Sequence, residues 1–238
     1  MSKKILTQVS LGAGVATSAP LTLTSGTNLT TAAAGAVEYD GNVFYATPNS
    51  ASRGLLPASQ FYQVANSATA ASIDDSTTTA RSLLGKLLTI VPGVYKFEGR
   101  FYCQASFVAG VAFSNNFSWL FTTVTGTNAI NTLQYEYVYM SNTTSFATAT
   151  SPTTLFRSTN TTSTLSASLS TGSRYIVVYI SGTMRVSGTG TATFAPAGNN
   201  SSAAGSGNAL NVQLGSWFSL TPLGAYTATT DIAVGAWA

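Results

Sequence analysis

The sequence predicts an all-β protein in which an extended N-terminal arm with a β-hairpin precedes a jelly-roll-like β-sandwich. Charged residues make up only 7% of the 238 residues, so strand pairing and packing, rather than ion pairs, must hold the fold together. Val, Thr, Tyr and Phe are frequent, and they suit a pleated, half-buried surface. Short stretches of alternating apolar and polar residues recur in the C-terminal half, which is typical of strands with one buried face.

Residues 1–58 are predicted to form the extended arm. Three prolines and many small residues occur in it, so we expect no continuous core there. The prolines are Pro20, Pro48 and Pro57. Near the N-terminus, Ile5, Leu6, Val9 and Leu11 are plausible anchors for docking on a partner.

The same N-terminal residues imitate a secretory signal peptide, because two lysines precede an apolar stretch and small residues follow it. Polar residues at positions 7, 8 and 10 interrupt that stretch, which favours the docking peptide and leaves secretion as the alternative. No stretch approaches the roughly 18 apolar residues of a membrane-spanning helix. We therefore expect no membrane insertion.

The hairpin is predicted within residues 38–45, where Asp40-Gly41 joins two short apolar-containing runs. An Asp-Gly pair suits a type I′ turn, in which both central residues have positive φ. An isolated two-stranded hairpin is marginal in water. Its large side chains, Tyr39, Phe44 and Tyr45, therefore need cover from elsewhere, and we expect another copy of the chain to provide it.

Residues 59–90 are predicted to be a linker. Asp74 and Asp75 could cap a short helix that ends at Gly85. Three consecutive threonines weaken that helix, so the sequence leaves open whether residues 74–85 are helical.

Residues 91–238 are predicted to form the sandwich from roughly eight to ten short strands. These recur at intervals of about 8–12 residues, a spacing typical of sandwiches and jelly rolls. The clearest strand places Tyr95, Phe97, Phe101 and Cys103 on one face and polar residues on the other. A continuous apolar run over residues 175–180 predicts a strand covered on both faces. Loops are predicted at 141–153 and at 197–208, the second being rich in Gly, Ser, Asn and Ala.

Catalytic and metal-binding sites are hard to build from these residues, and we expect a protein that is not an enzyme and has no cofactor. The chain has no histidine, the usual general base and the commonest metal ligand. Asp40 suits a turn and Glu98 a cross-strand pair, which argues against a glycosidase pair of carboxylates. The lone Cys103 suits an apolar packing role. No basic cluster exists beyond two N-terminal lysines, so we expect no nucleic-acid binding.

Part of the arm resembles a recurrent module of bacteriophage virion proteins, namely tail fibres, tail-fibre-like appendages and related structural proteins. The resemblance lies in residues 23–31, 35–41 (Gly-Ala-Val-Glu-Tyr-Asp-Gly), 44–48 (Phe-Tyr-Ala-Thr-Pro) and 53–57 (Arg-Gly-Leu-Leu-Pro). Residues 92–98 resemble the β-rich domain that often follows. The resemblance implies a homotrimer located in the virion. The expected assembly residues are Tyr39, Asp40, Gly41, Phe44, Tyr45, Leu55 and Leu56.

Several functions are consistent with this reading. The first is a short trimeric tail fibre or particle-surface appendage that binds other virion proteins through its arm. The alternatives are a capsid decoration protein, a receptor-binding tip that recognises a cell-surface glycan, and a secreted carbohydrate-binding adhesin. A glycan could use the predicted loops or an aromatic platform, although core or subunit interface is the commoner role of such residues. The candidate platform residues are Trp119, Trp217, Trp237, Tyr135, Tyr137 and Tyr139.

Overall fold

The protein is all-β in a computed structural model, which describes residues 11–49, 52–65, 72–74, 80–107, 115–142, 154–159, 163–166, 172–200 and 209–227. No helix occurs among these residues. The chain divides into two compact units, with the boundary between Leu56 and Pro57. The predicted fold class, all-β with antiparallel sheets, is confirmed.

The first unit contains a three-stranded antiparallel sheet. Its strands are β1 (Val37–Tyr39), β2 (Phe44–Ala46) and β3 (Gly54–Leu56), in that spatial order. The predicted hairpin is β1 and β2. The third strand adds Leu55 and Leu56 to the same sheet, so this part of the arm has more structure than a lone hairpin.

The second unit contains a large antiparallel sheet with eight strands among the described residues. The strands are β4 (Gln60–Gln63), β5 (Ser72–Asp74), β8 (Gly93–Phe107), β10 (Thr127–Asn142), β11 (Thr154–Thr159), β13 (Gly172–Thr189), β15 (Ala209–Val212) and β16 (Trp217–Gly224). The order runs β11-β10-β13-β8. On its other side, the long strand β8 pairs with β16 over one half and with β15 over the other; β4 extends β16, and β5 extends β15.

A smaller sheet, with five strands in the part of the chain that the structure describes, faces the large one. Its strands are β6 (Arg81–Ser82), β7 (Leu88–Ile90), β9 (Asn115–Thr123), β12 (Ser163–Ser166) and β14 (Ala192–Asn200). Strand β14 pairs with β9 along one edge and with both β6 and β7 along the other. Strand β12 extends the sheet beyond β9.

Aromatic side chains from both sheets form the core between them. Trp119 of the small sheet lies 4.9 Å from Phe97 of the large sheet, measured between ring centroids, with the rings edge to face. It also stacks on Phe194 at 5.0 Å. Phe117 stacks on Tyr137 at 6.0 Å. Because the Trp119–Phe97 and Phe117–Tyr137 pairs join the two layers, the sheets share one hydrophobic core.

The predicted alternation along β8 is confirmed. Tyr95, Phe97, Phe101 and Cys103 are buried, and the intervening polar side chains are half-buried or exposed. Cys103 is fully buried, and desolvation raises the pKa of its thiol to about 12. The cysteine therefore packs as a small apolar residue and is not ionised near neutral pH.

Residues 59–90, expected to be a linker, instead contribute four short strands, β4 to β7, to the two sheets. The described part of the 74–85 segment is not helical: Asp74 ends β5, and residues 81–82 form β6 ahead of a turn at Gly85. Residues 75–79 lie outside the described part. Strands of two to four residues are too short for periodicity in sequence to reveal them.

Two further predictions need correction. The predicted loop at 197–208 begins too early, because Ala197 is buried and pairs with both β6 and β9. Its remaining part, 201–208, lies outside the described residues, as does the 143–153 part of the other predicted loop. The apolar run at 175–180 is covered on both faces only in part, since Val177 is buried and Tyr179 is exposed.

Candidate assembly site

The turn of the predicted hairpin is organised by the carboxylate of Asp40. The last residues paired across β1 and β2 are Tyr39 and Phe44, and the backbone N–H of Asp40 donates to the carbonyl of Val43 at 3.4 Å. The turn is therefore centred on Gly41 and the residue after it, so the predicted Asp40-Gly41 turn is wrong by one residue. Gly41 has φ of +96°, a conformation that favours glycine.

Asp40 suits the first position of that turn because its carboxylate accepts hydrogen bonds from two turn N–H groups that no backbone carbonyl among the described residues accepts. Its Oδ1 accepts the backbone N–H of Asn42 at 2.8 Å and that of Val43 at 2.9 Å. Its Oδ2 accepts the hydroxyl of Tyr45 at 2.8 Å. This side-chain turn is a common use of Asp next to glycine.

The same contacts shift the ionisation of both side chains. Burial acts to raise the pKa of Asp40, but the hydrogen bonds from Val43, Asn42 and Tyr45 outweigh it and the pKa is lowered. For Tyr45, burial first, then the hydrogen bond to Asp40 and the charge of Asp40, raise the pKa to about 12. The pair is therefore a carboxylate and a neutral phenol across the neutral pH range.

An ion pair fixes the third strand and the preceding chain to the hairpin. Arg53 Nε lies 2.9 Å from Glu38 Oε2. Arg53 also donates to the carbonyl of Leu29 at 2.6 Å, and the N–H of Leu29 donates to the other oxygen of Glu38 at 2.6 Å. Glu38 and Arg53 thus hold both backbone groups of Leu29.

The sequence reading missed Glu38 and Arg53 as structural residues. Both lie inside the stretches that carry the virion-module resemblance. Their separation by fifteen residues gave no local signal of pairing. The one available signal was that two opposite charges occur in this stretch of a chain with so few charged residues.

The two faces of the three-stranded sheet differ in how far the rest of the chain buries them. On one face, Glu38, Tyr45 and Leu55 lie opposite one another in register; Tyr45 is buried, and Leu55 is half-buried. The contacts of Leu29 with Glu38 and Arg53 place the preceding chain beside this face. Tyr45 is therefore buried within the single chain, whereas we had expected a second copy to cover it.

The other face carries an apolar row, which we call the open row, formed by Tyr39, Phe44 and Leu56 in register across the three strands. The rings of Tyr39 and Phe44 stack with centroids 4.5 Å apart. Phe44 is 37% exposed and Leu56 43%, and the neighbouring Val37 is 56% exposed. Tyr39 is half-buried, so the open row is a contiguous apolar surface that remains partly exposed in the described part of the chain.

The remaining predicted site residues have different positions. Of the docking-arm residues, Ile5, Leu6 and Val9 lie outside the described residues, and Leu11 is exposed. Of the candidate glycan platform, Trp119, Tyr135 and Tyr137 belong to the core of the second unit, with Tyr135 and Tyr137 buried and Trp119 packed against that core. Trp217 lies on the outer surface of the large sheet. Trp237 and the side chain of Tyr139 are outside the described part.

Within the described residues, no three His, Cys, Asp or Glu side chains gather in a way that could hold a metal ion. The same residues contain no helix able to cross a membrane. Comparison of the chain with protein-family models, with curated proteins and with solved structures finds no match.

Proposed function

We propose that this chain is a non-enzymatic structural protein of a bacteriophage virion. It is a short trimeric tail fibre or particle-surface appendage, attached to other virion proteins through its N-terminal arm. The sequence resemblance of residues 23–57 supports the virion assignment. The low charge supports a surface largely covered by neighbours in an assembly.

The observation that carries the proposal is the open row. Tyr39, Phe44 and Leu56 form one apolar surface on a sheet whose turn is fixed by Asp40 and whose third strand is fixed by Arg53. A pre-formed surface loses little conformational entropy when it binds. Full burial of an exposed Phe or Leu side chain contributes about 1.5–3 kcal/mol. Phe44 and Leu56 are 37% and 43% exposed, so each can contribute only the part of that free energy that corresponds to its exposed surface.

The proposed occupant of the open row is the corresponding unit of two other copies. A ring of three copies closes through one repeated contact between two different patches, so each copy would both offer and receive apolar surface. Obligate interfaces of this kind resemble a domain core cut in half. The second unit would then be a stable knob.

We further propose that the second unit is jelly-roll-like. The chain changes sheet between β8 and β9, between β9 and β10, between β13 and β14, and between β14 and β15. Repeated crossing between two antiparallel layers is the connectivity that jelly rolls share with other sandwiches.

Labelling of phage particles tests the virion assignment. An antibody raised against the second unit should decorate intact particles at a fixed position, on the tail for a fibre or on the head for a decoration protein. Deletion of residues 1–58 should abolish incorporation into particles. Particles that lack the protein, although the host makes it during infection, would contradict the proposal.

A further inference from the structure

A row of aromatic side chains flanks one arginine on the outer surface of the large sheet. Tyr179 of β13 lies directly opposite Arg100 of β8, and Arg100 lies directly opposite Trp217 of β16. Adjacent strands are about 4.8 Å apart, so the backbones of Tyr179 and Trp217 are roughly 10 Å apart. We call these three residues the outer row.

The outer row is accessible and extended by further rings. Tyr179 is 44% exposed, and Trp217 is half-buried. Phe61 of β4 is 60% exposed and stacks on Trp217 with centroids 5.9 Å apart. Tyr102, two residues along β8 on the same face, completes an aromatic surface around the arginine.

Stacking positions the guanidinium of Arg100 and leaves its donors uncommitted. Its Cζ lies 4.9 Å from the centroid of the Tyr102 ring. Its Nε is buried without a hydrogen-bond partner. The one ion pair among the described residues is that of Arg53 with Glu38, so Glu98, two residues from Arg100 on the same face, is not bonded to it.

This arrangement has the chemistry of a site for an acidic sugar. The planar fork of a guanidinium matches a carboxylate with two parallel hydrogen bonds. Aromatic rings offer flat apolar faces, against which the C–H face of a pyranose ring can pack while its hydroxyls stay in water. A single uncommitted arginine with rings on both sides therefore suits one carboxylate within a saccharide.

The charges nearby argue against a polyanion. A nucleic-acid strand needs several cations along its path, whereas the same face of β8 carries Glu98 between Lys96 and Arg100. A purely apolar partner would leave the Arg100 donors unsatisfied.

We propose that the outer row binds a saccharide bearing a carboxylate, with Arg100 holding the carboxylate and Tyr179 and Trp217 packing against the sugar rings. This goes beyond the proposed virion role and does not depend on it, because it uses only residues of the second unit.

The test is calorimetric titration of the full-length protein with oligosaccharides that contain glucuronate, galacturonate or N-acetylneuraminate, each beside its carboxyl-reduced counterpart. At least one acidic oligosaccharide should bind, and its reduced form should bind at least tenfold more weakly. R100Q should lower the affinity at least tenfold, and R100K should lower it several-fold because the charge stays and the fork is lost. Y179T should also weaken binding.

The matched control is K96Q, which removes a cation from the same face of the same strand. It should change the affinity less than twofold, and thermal unfolding of each variant establishes that the fold is intact. Absence of binding by every acidic oligosaccharide, equal binding of reduced forms, or unchanged affinity in folded R100Q would overturn the proposal. A Y179T variant that changes the oligomeric state would show instead that a second copy covers this face.

Discussion

The hydroxyl of Tyr45 donates a hydrogen bond of 2.8 Å to Oδ2 of Asp40, whose other oxygen accepts two backbone N–H groups of the turn. One carboxylate thus joins the turn to the buried face of the sheet. The opposite face, with the open row, is thereby held in a defined register. Assembly through the open row requires this small sheet to be folded before it meets a partner.

Replacement of Asp40 should therefore loosen the first unit. D40A removes the acceptor of three hydrogen bonds, and we expect a loss of about 1–2 kcal/mol, given that the site is partly exposed. Hydrogen exchange at the amides of Asn42 and Val43 should become faster by roughly 5–30-fold, the factor that corresponds to this loss of free energy. D40N keeps an acceptor for the two amides and should cost less; equal exchange rates in wild type and D40A would contradict this role.

The Asp40–Tyr45 contact should make stability depend on pH at both extremes. The pKa of Tyr45 is raised above its ordinary 10, so its contribution is fully present below pH 10 and lost as the pH rises toward 12. The pKa of Asp40 is lowered below its ordinary 3.8, so its contribution is present above 3.8 and lost as the pH falls further. Urea unfolding of wild type and Y45F across both ranges measures this.

In that comparison, the stability advantage of wild type over Y45F should be constant from pH 5 to pH 9 and should shrink above pH 10. If the advantage persists unchanged at pH 12, ionisation of the Tyr45 phenol does not break a stabilising hydrogen bond to Asp40.

The Glu38–Arg53 pair should show measurable coupling. Its side chains are 10% and 21% exposed, so solvent screens it only in part. A double-mutant cycle with E38Q and R53Q should give a coupling free energy of about 1–2 kcal/mol. R53K should not retain this coupling free energy, because a lysine has no planar fork with which to contact both Glu38 and the carbonyl of Leu29. A coupling near zero would mean that the pair is incidental.

Gly182 should be essential to the core of the second unit. It lies between Phe97 and Tyr135 in the register of three strands. An added Cβ would clash with the backbone carbonyl oxygen of Gln134 and would come within 2.7 Å of side-chain atoms of both Phe97 and Tyr135. G182A should destabilise the protein by roughly 1–3 kcal/mol through overpacking. In the control G54A, the new methyl meets no atom within 4 Å, so thermal unfolding should change little.

Sequence periodicity predicted those strands that are long enough to show alternation of apolar and polar residues by themselves. The buried and exposed residues of β8 alternate as expected, because a strand with one face in the core imposes period two. Strands β4 to β7 were missed because two to four residues carry no period. The burial of Ala197 could not be read from its loop-like neighbours, since pairing with two strands is a property of the sheet.

The sequence singled out residues that the structure places in the three-stranded sheet, but it did not reveal how they are arranged there. Asp-Gly marked the turn, but the side-chain bonds of Asp40 moved it by one residue. Tyr45 was expected at an interface and lies on the covered face, because adjacent residues of a strand point to opposite sides. Phe44, its neighbour, does lie on the open face. Pairing of Glu38 with Arg53 spans two connections, which no local pattern reveals.

The mass of the protein in solution tests the central claim most directly. Light scattering of the full-length protein should give three times the chain mass of 24.5 kDa. F44S and L56S should shift the protein toward monomer, because each places a polar group in the open row. The control L21S changes an exposed leucine outside that row and should remain trimeric. A stable wild-type monomer, or a trimer that F44S and L56S leave intact, would contradict assembly through the open row.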